Sequence, residues 1–228
     1  DAYLSVAEAL SHSGYEFGAF VDIKWIDSEK ITEENVKETL EGVSGVIVPG
    51  GFGNRGIEGM IITANYCRTN NLPYLGICLG MQIAVISFAR YVCNIPDANS
   101  REFSENGLHN VIDFLPDQTD KTDKGGTLRL GAYPCSVKED TMMYKCYKAK
   151  DISERHRHRY EFNNEYRELL EKAGLTISGT SPDDYIVETV EIKENDFYVG
   201  VQFHPEFKSR PNKPHPLFLG LIEAALNK

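Results

Sequence analysis

Tyr74-Leu75-Gly76-Ile77-Cys78-Leu79-Gly80-Met81-Gln82 is a short apolar run that ends at one cysteine, with a glycine two residues away on each side. In G-x-S-x-G hydrolases the nucleophile sits on a strained strand-to-helix turn, and the flanking glycines let neighbouring backbone pass where a Cβ would clash. Gly76-Ile77-Cys78-Leu79-Gly80 fits that template with sulfur in place of the hydroxyl. The residues from Met81 to Arg90 lack Pro and Gly and are mostly apolar, which predicts a buried helix beginning at the cysteine. The macrodipole and free N–H groups at such a helix start favour thiolate, the nucleophilic form. A structural core cysteine has the same small apolar character, so the motif requires a base elsewhere in the chain.

The 228 residues are 41% hydrophobic and 25% charged, an ordinary globular composition that reads as a single domain over residues 1–228. A formal net charge of -10 argues against a nucleic-acid or anionic-membrane surface. Five cysteines, an odd number without a C-x-x-C pair, suit a reducing cytoplasm better than a disulfide framework or a metal site. With no apolar run of about 18 residues and no secretory pattern, the expectation is a cytoplasmic protein with no membrane partner.

Upstream of the elbow, Asp1 is placed to cap a helix through Leu10 that Ser13-Gly14 ends. Val21, Ile23 and Trp25 alternate as a strand, Thr32 caps a short helix to Leu40, and Gly45 to Val48 is a buried strand. Strands alternating with helices imply βαβ units, hence an α/β fold with an open, mostly parallel twisted sheet flanked by helices. The second strand runs into Pro49-Gly50-Gly51-Phe52-Gly53-Asn54-Arg55-Gly56. Exposed N–H groups in such a turn can donate to an anion, either phosphate or the oxyanion of a tetrahedral intermediate. The loop and Cys78 both lie at the carboxyl ends of strands, where ligands gather in open α/β sheets.

Past the elbow helix, Pro96 to Glu102 reads as a loop, Val111 to Asp113 as a strand and Asp117 to Gly126 as a polar excursion. Leu128 to Val137 and Arg155 to Phe162 read as small antiparallel additions, followed by a helix to about Ala173 and three more strands. In Glu154-Arg155-His156-Arg157-His158-Arg159-Tyr160-Glu161 both imidazoles fall on one strand face, and an arginine fork there suits a small carboxylate. The last strand delivers His204-Pro205-Glu206. Pro205 bars a helix and lets His204 and Glu206 project to one side, as a base with its orienting acid requires.

Cys78 in its elbow, the Pro49-Gly50-Gly51-Phe52-Gly53 loop and His204-Pro205-Glu206, in that order, resemble the class I glutamine amidotransferases. Within that family, Gly125-Gly126-Thr127-Leu128-Arg129-Leu130-Gly131 and Glu154 to Asn163 are similar to the glutaminase domains of CTP synthases. The resemblance implies a flavodoxin-like glutaminase fold. It also implies a triad of Cys78, His204 and Glu206 that works through a γ-glutamyl thioester, and an oxyanion hole from the N–H groups of Gly51 and Leu79. Glutamine would be bound by Gly51, Phe52, Gln82, Glu102 and Arg159. Glu102 and Arg159 have the charges that an α-ammonium and an α-carboxylate need.

The resemblance implies no cofactor or metal in this domain. It places UTP, ATP and Mg²⁺ on an N-terminal amidoligase domain of the same protein, which would also make it a homo-oligomer, with GTP as allosteric activator. The family's opening strand and that amidoligase domain are expected before Asp1. The alternatives are a class I glutaminase that feeds another ammonia acceptor, a γ-glutamyl hydrolase, and an inactive glutaminase-like binding module.

Overall fold

The computed structural model describes residues 3–114 and 129–228. In chain order the elements are α1 (Leu4–Glu16), α2 (Val36–Thr39), β1 (Val46–Val48), α3 (Ile57–Thr69), β2 (Tyr74–Ile77), α4 (Leu79–Tyr91), β3 (Asn99–Ser100), β4 (Asn110–Phe114), β5 (Arg129–Val137), α5 (Met142–Tyr147), β6 (Asp151–His158), β7 (Tyr160–Phe162), α6 (Arg167–Lys172), β8 (Thr176–Thr180), β9 (Val187–Glu191), β10 (Tyr198–Val201) and α7 (Pro216–Leu226).

Every residue of β2 and β10 is buried, because these two strands pair in the middle of the molecule and carry apolar side chains on both faces. Successive side chains of a strand point to opposite faces. Leu75, Ile77, Val199 and Val201 accordingly pack on one side with Val6 of α1, Met143 of α5 and Leu217 of α7. Tyr74 and Tyr198 point to the other side, among Ile61 and Ala64 of α3 and Met81 and Val85 of α4. Burying one such aliphatic side chain is worth roughly 1.5–3 kcal/mol, so the central pair anchors both cores. The two tyrosine rings stack with centroids 4.5 Å apart. Their hydroxyls donate to Gly80 O at 2.8 Å and Ala64 O at 3.1 Å, which removes the cost of burying them.

The seven-stranded sheet has the order β1-β2-β10-β9-β8-β5-β6, and β3-β4-β7 form a second sheet of three strands. The α/β architecture with flanking helices is as expected, but the parallel part is smaller than the pattern implied. In the large sheet only β1-β2 and β2-β10 are parallel, and from β10 outward each neighbour is antiparallel; in the small sheet β3-β4 is parallel and β4-β7 antiparallel. The reason is the length of the links. Residues 181–186 and 192–197 join consecutive strands by short turns, whereas a parallel pair needs a crossover of a dozen residues or more.

Other expectations need correction. Ser13 and Gly14 do not end α1; they are buried inside it, and it runs on to Glu16. Val21 to Trp25 forms no strand, since no described strand pairs with it; Trp25 instead stacks on Tyr3 at 6.2 Å. The loop after Pro96 contains the short strand β3. Pro205 does not bar a helix but starts a 3-10 turn over Pro205–Lys208, where its missing N–H costs nothing. The helices α5 and α7 escaped the pattern reading. The Asp1 cap, the excursion from Asp117 to Gly126 and the Gly125 to Leu128 part of the glycine motif lie outside the described residues. No helix among the described residues is long and apolar enough to cross a membrane.

Candidate active site

The chain turns from β2 into α4 at Cys78, which has φ 53° and ψ -101°, a region that L residues rarely adopt. The turn is held from both sides. Cys78 N donates to Val201 O at 2.7 Å, and Cys78 O accepts from Met81 N at 3.1 Å. A Cβ on Gly80 would lie 2.0 Å from Val48 O, and one on Gly76 would lie 2.5 Å from the Gly80 carbonyl, so both flanking positions exclude a side chain. Cys78 caps α4 without a side-chain hydrogen bond to it, which leaves the helix start directed at the thiol.

His204 and Glu206 follow the neighbouring strand β10. Because β2 and β10 are parallel and in register from Tyr74↔Tyr198 to Ile77↔Val201, both strands deliver their next residues at the same edge. His204 Nδ1 meets Glu206 Oε1 at 2.7 Å, and both side chains are buried. His204 N donates to Arg155 O at 2.8 Å, and the ring stacks on Phe207 at 5.1 Å, so its orientation is fixed. Nε2 is buried without a hydrogen-bond partner among the described residues. Burial by itself would lower the imidazole's proton affinity, but the neighbouring Cys78 sulfur and the hydrogen-bonded Glu206 outweigh it and push His204 up to about 10. Gly50 lies between the two: a Cβ there would sit 2.7 Å from His204 Cε1 and 3.5 Å from Cys78 Cβ.

The glycine loop closes over the same spot. A Cβ on Gly51 would meet Leu79 Cδ2 at 3.3 Å, and Gly53 N donates to Glu102 Oε1 at 3.0 Å. Glu102 is held above the ordinary carboxylate range, chiefly by burial, with the Gly53 N–H and the charge of Arg159 opposing. Arg159 lies over Phe114 at 5.0 Å and over Tyr160 at 5.9 Å, with a buried Nε that has no partner among the described residues. Phe52 is exposed, with the Arg157 guanidinium 5.8 Å from its ring centroid. Gln82 is buried, and its Nε2 donates to Tyr160 O at 3.0 Å and Gln202 Oε1 at 3.3 Å. The residues singled out in the sequence thus lie in one neighbourhood beyond the carboxyl ends of β2 and β10. Among the described residues no group of three His, Cys, Asp or Glu could hold a metal ion.

The family model described as "Glutamine amidotransferase class-I" matches residues 1–224. The chain belongs to the class I glutamine amidotransferases. Among these amidotransferases it is similar to "CTP synthase" of Staphylococcus saprophyticus, 58% identical over 100% of this chain and 42% of the relative. "CTP synthase" of Caldanaerobacter subterraneus is 56% identical over the same shares. A solved structure, the Trypanosoma brucei CTPS glutaminase domain with bound acivicin, is 39% identical with a TM-score of 0.94, covering 100% of this chain and 89% of that one. The chain is thus a glutaminase domain of the CTP synthase kind, and it spans 42% of the length of the curated relatives it matches.

Behind the site this amidotransferase carries a buried polar network that the sequence reading missed. Arg129 pairs with Glu188, whose other oxygen is 3.5 Å from His156 Nε2. His156 Nδ1 meets His158 Nε2 at 2.9 Å, and His158 Nδ1 lies 3.1 Å from Tyr160 O. Burial lowers His156 to about 2 and His158 to about 3, with positive neighbours adding to it, and burial pushes Glu161 up to about 8. The i, i+2 spacing of His156 and His158 had already placed both imidazoles on one face; their burial depends on β5, from which Arg129 reaches across. A separate surface depression over α6 is lined by Arg167, Glu168, Glu171 and Lys172, whose ion pairs among the described residues are with one another and with Asp184.

Proposed function

We propose that residues 1–228 act as one glutaminase domain that hydrolyses L-glutamine through a cysteinyl thioester. The alignment of Cys78 with the His204–Glu206 pair across Gly50 carries this reading. With its proton passed to His204, Cys78 Sγ attacks the side-chain amide carbon, and the carbonyl electrons move onto oxygen, toward the N–H groups of Gly51 and Leu79. His204 gives its proton to the leaving nitrogen as the C–N bond breaks, which releases ammonia and leaves the γ-glutamyl thioester. Water then adds, passing a proton to His204, and the C–S bond breaks to give glutamate and the free sulfur. Glu206 holds the imidazole by Nδ1 throughout and compensates its charge. Arg159 receives the α-carboxylate, Glu102 the α-ammonium, Gln82 Oε1 the side-chain amide N–H, and Gly51 and Phe52 shape the loop over it.

In the longer protein the ammonia would aminate UTP to CTP, in pyrimidine biosynthesis, on an N-terminal amidoligase domain that binds ATP and Mg²⁺ and forms the homo-oligomer. GTP would activate the glutaminase, and the protein would work in the cytoplasm. Support comes from the likeness to CTP synthases at 58% and 56% identity. The test treats the protein with a glutamine-like diazo-ketone, maps the adduct by mass spectrometry, and measures ammonia release from glutamine with UTP, ATP and GTP present or absent. An adduct on Cys78 and CTP formation by the full-length protein are expected. Glutamine hydrolysis without CTP would indicate another acceptor, and no adduct would reject the nucleophile.

A further inference from the structure

The residue after β10, Gln202, is fully buried and plays no part in the reaction described above. Its backbone N donates to Glu188 O at 2.8 Å, so its position is set by the sheet. Its side-chain amide is set by Gln82. Gln82 Nε2 faces Gln202 Oε1, which leaves Gln202 Nε2 pointing at Cys78 Sγ, 3.7 Å away. A primary amide whose oxygen already accepts has only N–H to offer on its other arm. The sulfur also lies 3.9 Å from Arg157 O, an acceptor that only the protonated thiol can use. Cys78 therefore has a partner in each protonation state, Arg157 O for S–H and the Gln202 amide for S⁻.

We propose that Gln202 is a further catalytic residue, which donates a hydrogen bond to Cys78 Sγ and holds the sulfur as the anion, with Gln82 fixing the direction of the donor. The assignment rests on the reading of Cys78 as nucleophile. The titratable groups around the sulfur are His204 with Glu206 behind it, and, beyond His204, His156 and His158 on β6, Arg129 on β5 and Glu188 on β9. All are left in place by a change at Gln202. A neutral donor to an anion favours the charged form, and a donor to sulfur that is lost shifts the titration upward.

The test is the pH profile of iodoacetamide alkylation at Cys78 in this chain, with Gln202→Leu and the nearly isosteric Gln202→Glu, each checked for the parent's near-ultraviolet circular dichroism. Gln202→Leu should move the profile up by about one pH unit, a tenfold slower alkylation at the acidic end, and Gln202→Glu further, because an anion then faces the sulfur. Folded variants with the parent's profile would overturn the proposal. A second measurement needs no variant: the side-chain ¹⁵N resonance of Gln202 in the parent should move as the sulfur titrates and stop moving once Cys78 is alkylated. A resonance that ignores both would overturn it as well. Neither readout uses glutamine, so failure of the glutaminase assay and failure of this assignment remain separate results.

Discussion

Of the cysteines, Cys78 alone adjoins a helix start and an imidazole, and that difference should be visible as chemistry. Burial raises the thiols of Cys67 and Cys135 well above the usual range, Cys146 to about 12, and Cys93 upward as well. Iodoacetamide near neutral pH is therefore expected to label Cys78 at least tenfold faster than any other cysteine; comparable labelling of Cys93 in a peptide map would refute this. Glu206 touches the His204 imidazole at 2.7 Å, and in the triad we propose its carboxylate orients and compensates that ring, so Glu206→Gln should lower kcat by roughly 100-fold or more and leave KM nearly unchanged. Arg159→Ala should do the reverse, because the α-carboxylate that we propose it receives is equally charged in ground and transition states. Steady-state kinetics on glutamine separates the two. A fall in kcat at constant KM for Arg159→Ala would mean that the arginine organises the aromatic pair Phe114 and Tyr160 instead.

The element that depends most on its smallest residue is the junction of β2 and α4. Gly80→Ala would press a methyl group against Val48 O, a backbone atom of β1 that cannot rotate away. We expect a loss of about 2–3 kcal/mol in stability together with displacement of Cys78, measured as a lower denaturant midpoint and slower alkylation. Parent-like values in both would show that β1 yields freely. This junction was legible in the sequence because its glycine spacing and apolar run are local signals, and His204-Pro205-Glu206 was legible for the same reason. Glu102 and Arg159 were reached only through a family likeness. Their meeting at the cleft depends on two different sheets, a distance in sequence that no spacing encodes. Gln202 was passed over because its side-chain neighbours Gln82 and Cys78 come from other elements. Val21 to Trp25 misled for the opposite reason: alternation describes a strand's faces but says nothing of whether a partner strand is present.

At the scale of the molecule, the buried titratable groups of β5, β6, β7 and β9 give stability a pH dependence with two limbs. His156 and His158 have folded-state values far below the ordinary 6.5, so their contribution is present above pH 6.5 and is lost as pH falls toward about 3 and about 2. Glu161 is raised from 4.5 to about 8, so its contribution is full below 4.5 and is lost as pH rises through about 8. The melting temperature should peak between these limbs, and Glu161→Gln, which cannot ionise, should flatten the alkaline one. A variant whose alkaline limb is as steep as the parent's would place that loss elsewhere.

The order of strands has one more consequence. β2 and β10 lie inside the large sheet with a neighbour on each side, while β6, which leads to Arg159, is one of its two edge strands, β1 being the other. Native proteins open in pieces, and edge elements exchange their amide hydrogens before central ones. Amides of β6 should therefore exchange at denaturant concentrations where those of Ile77 and Val201 are still protected. As the protein is progressively weakened, it would lose its grip on the substrate before it loses its reactive sulfur.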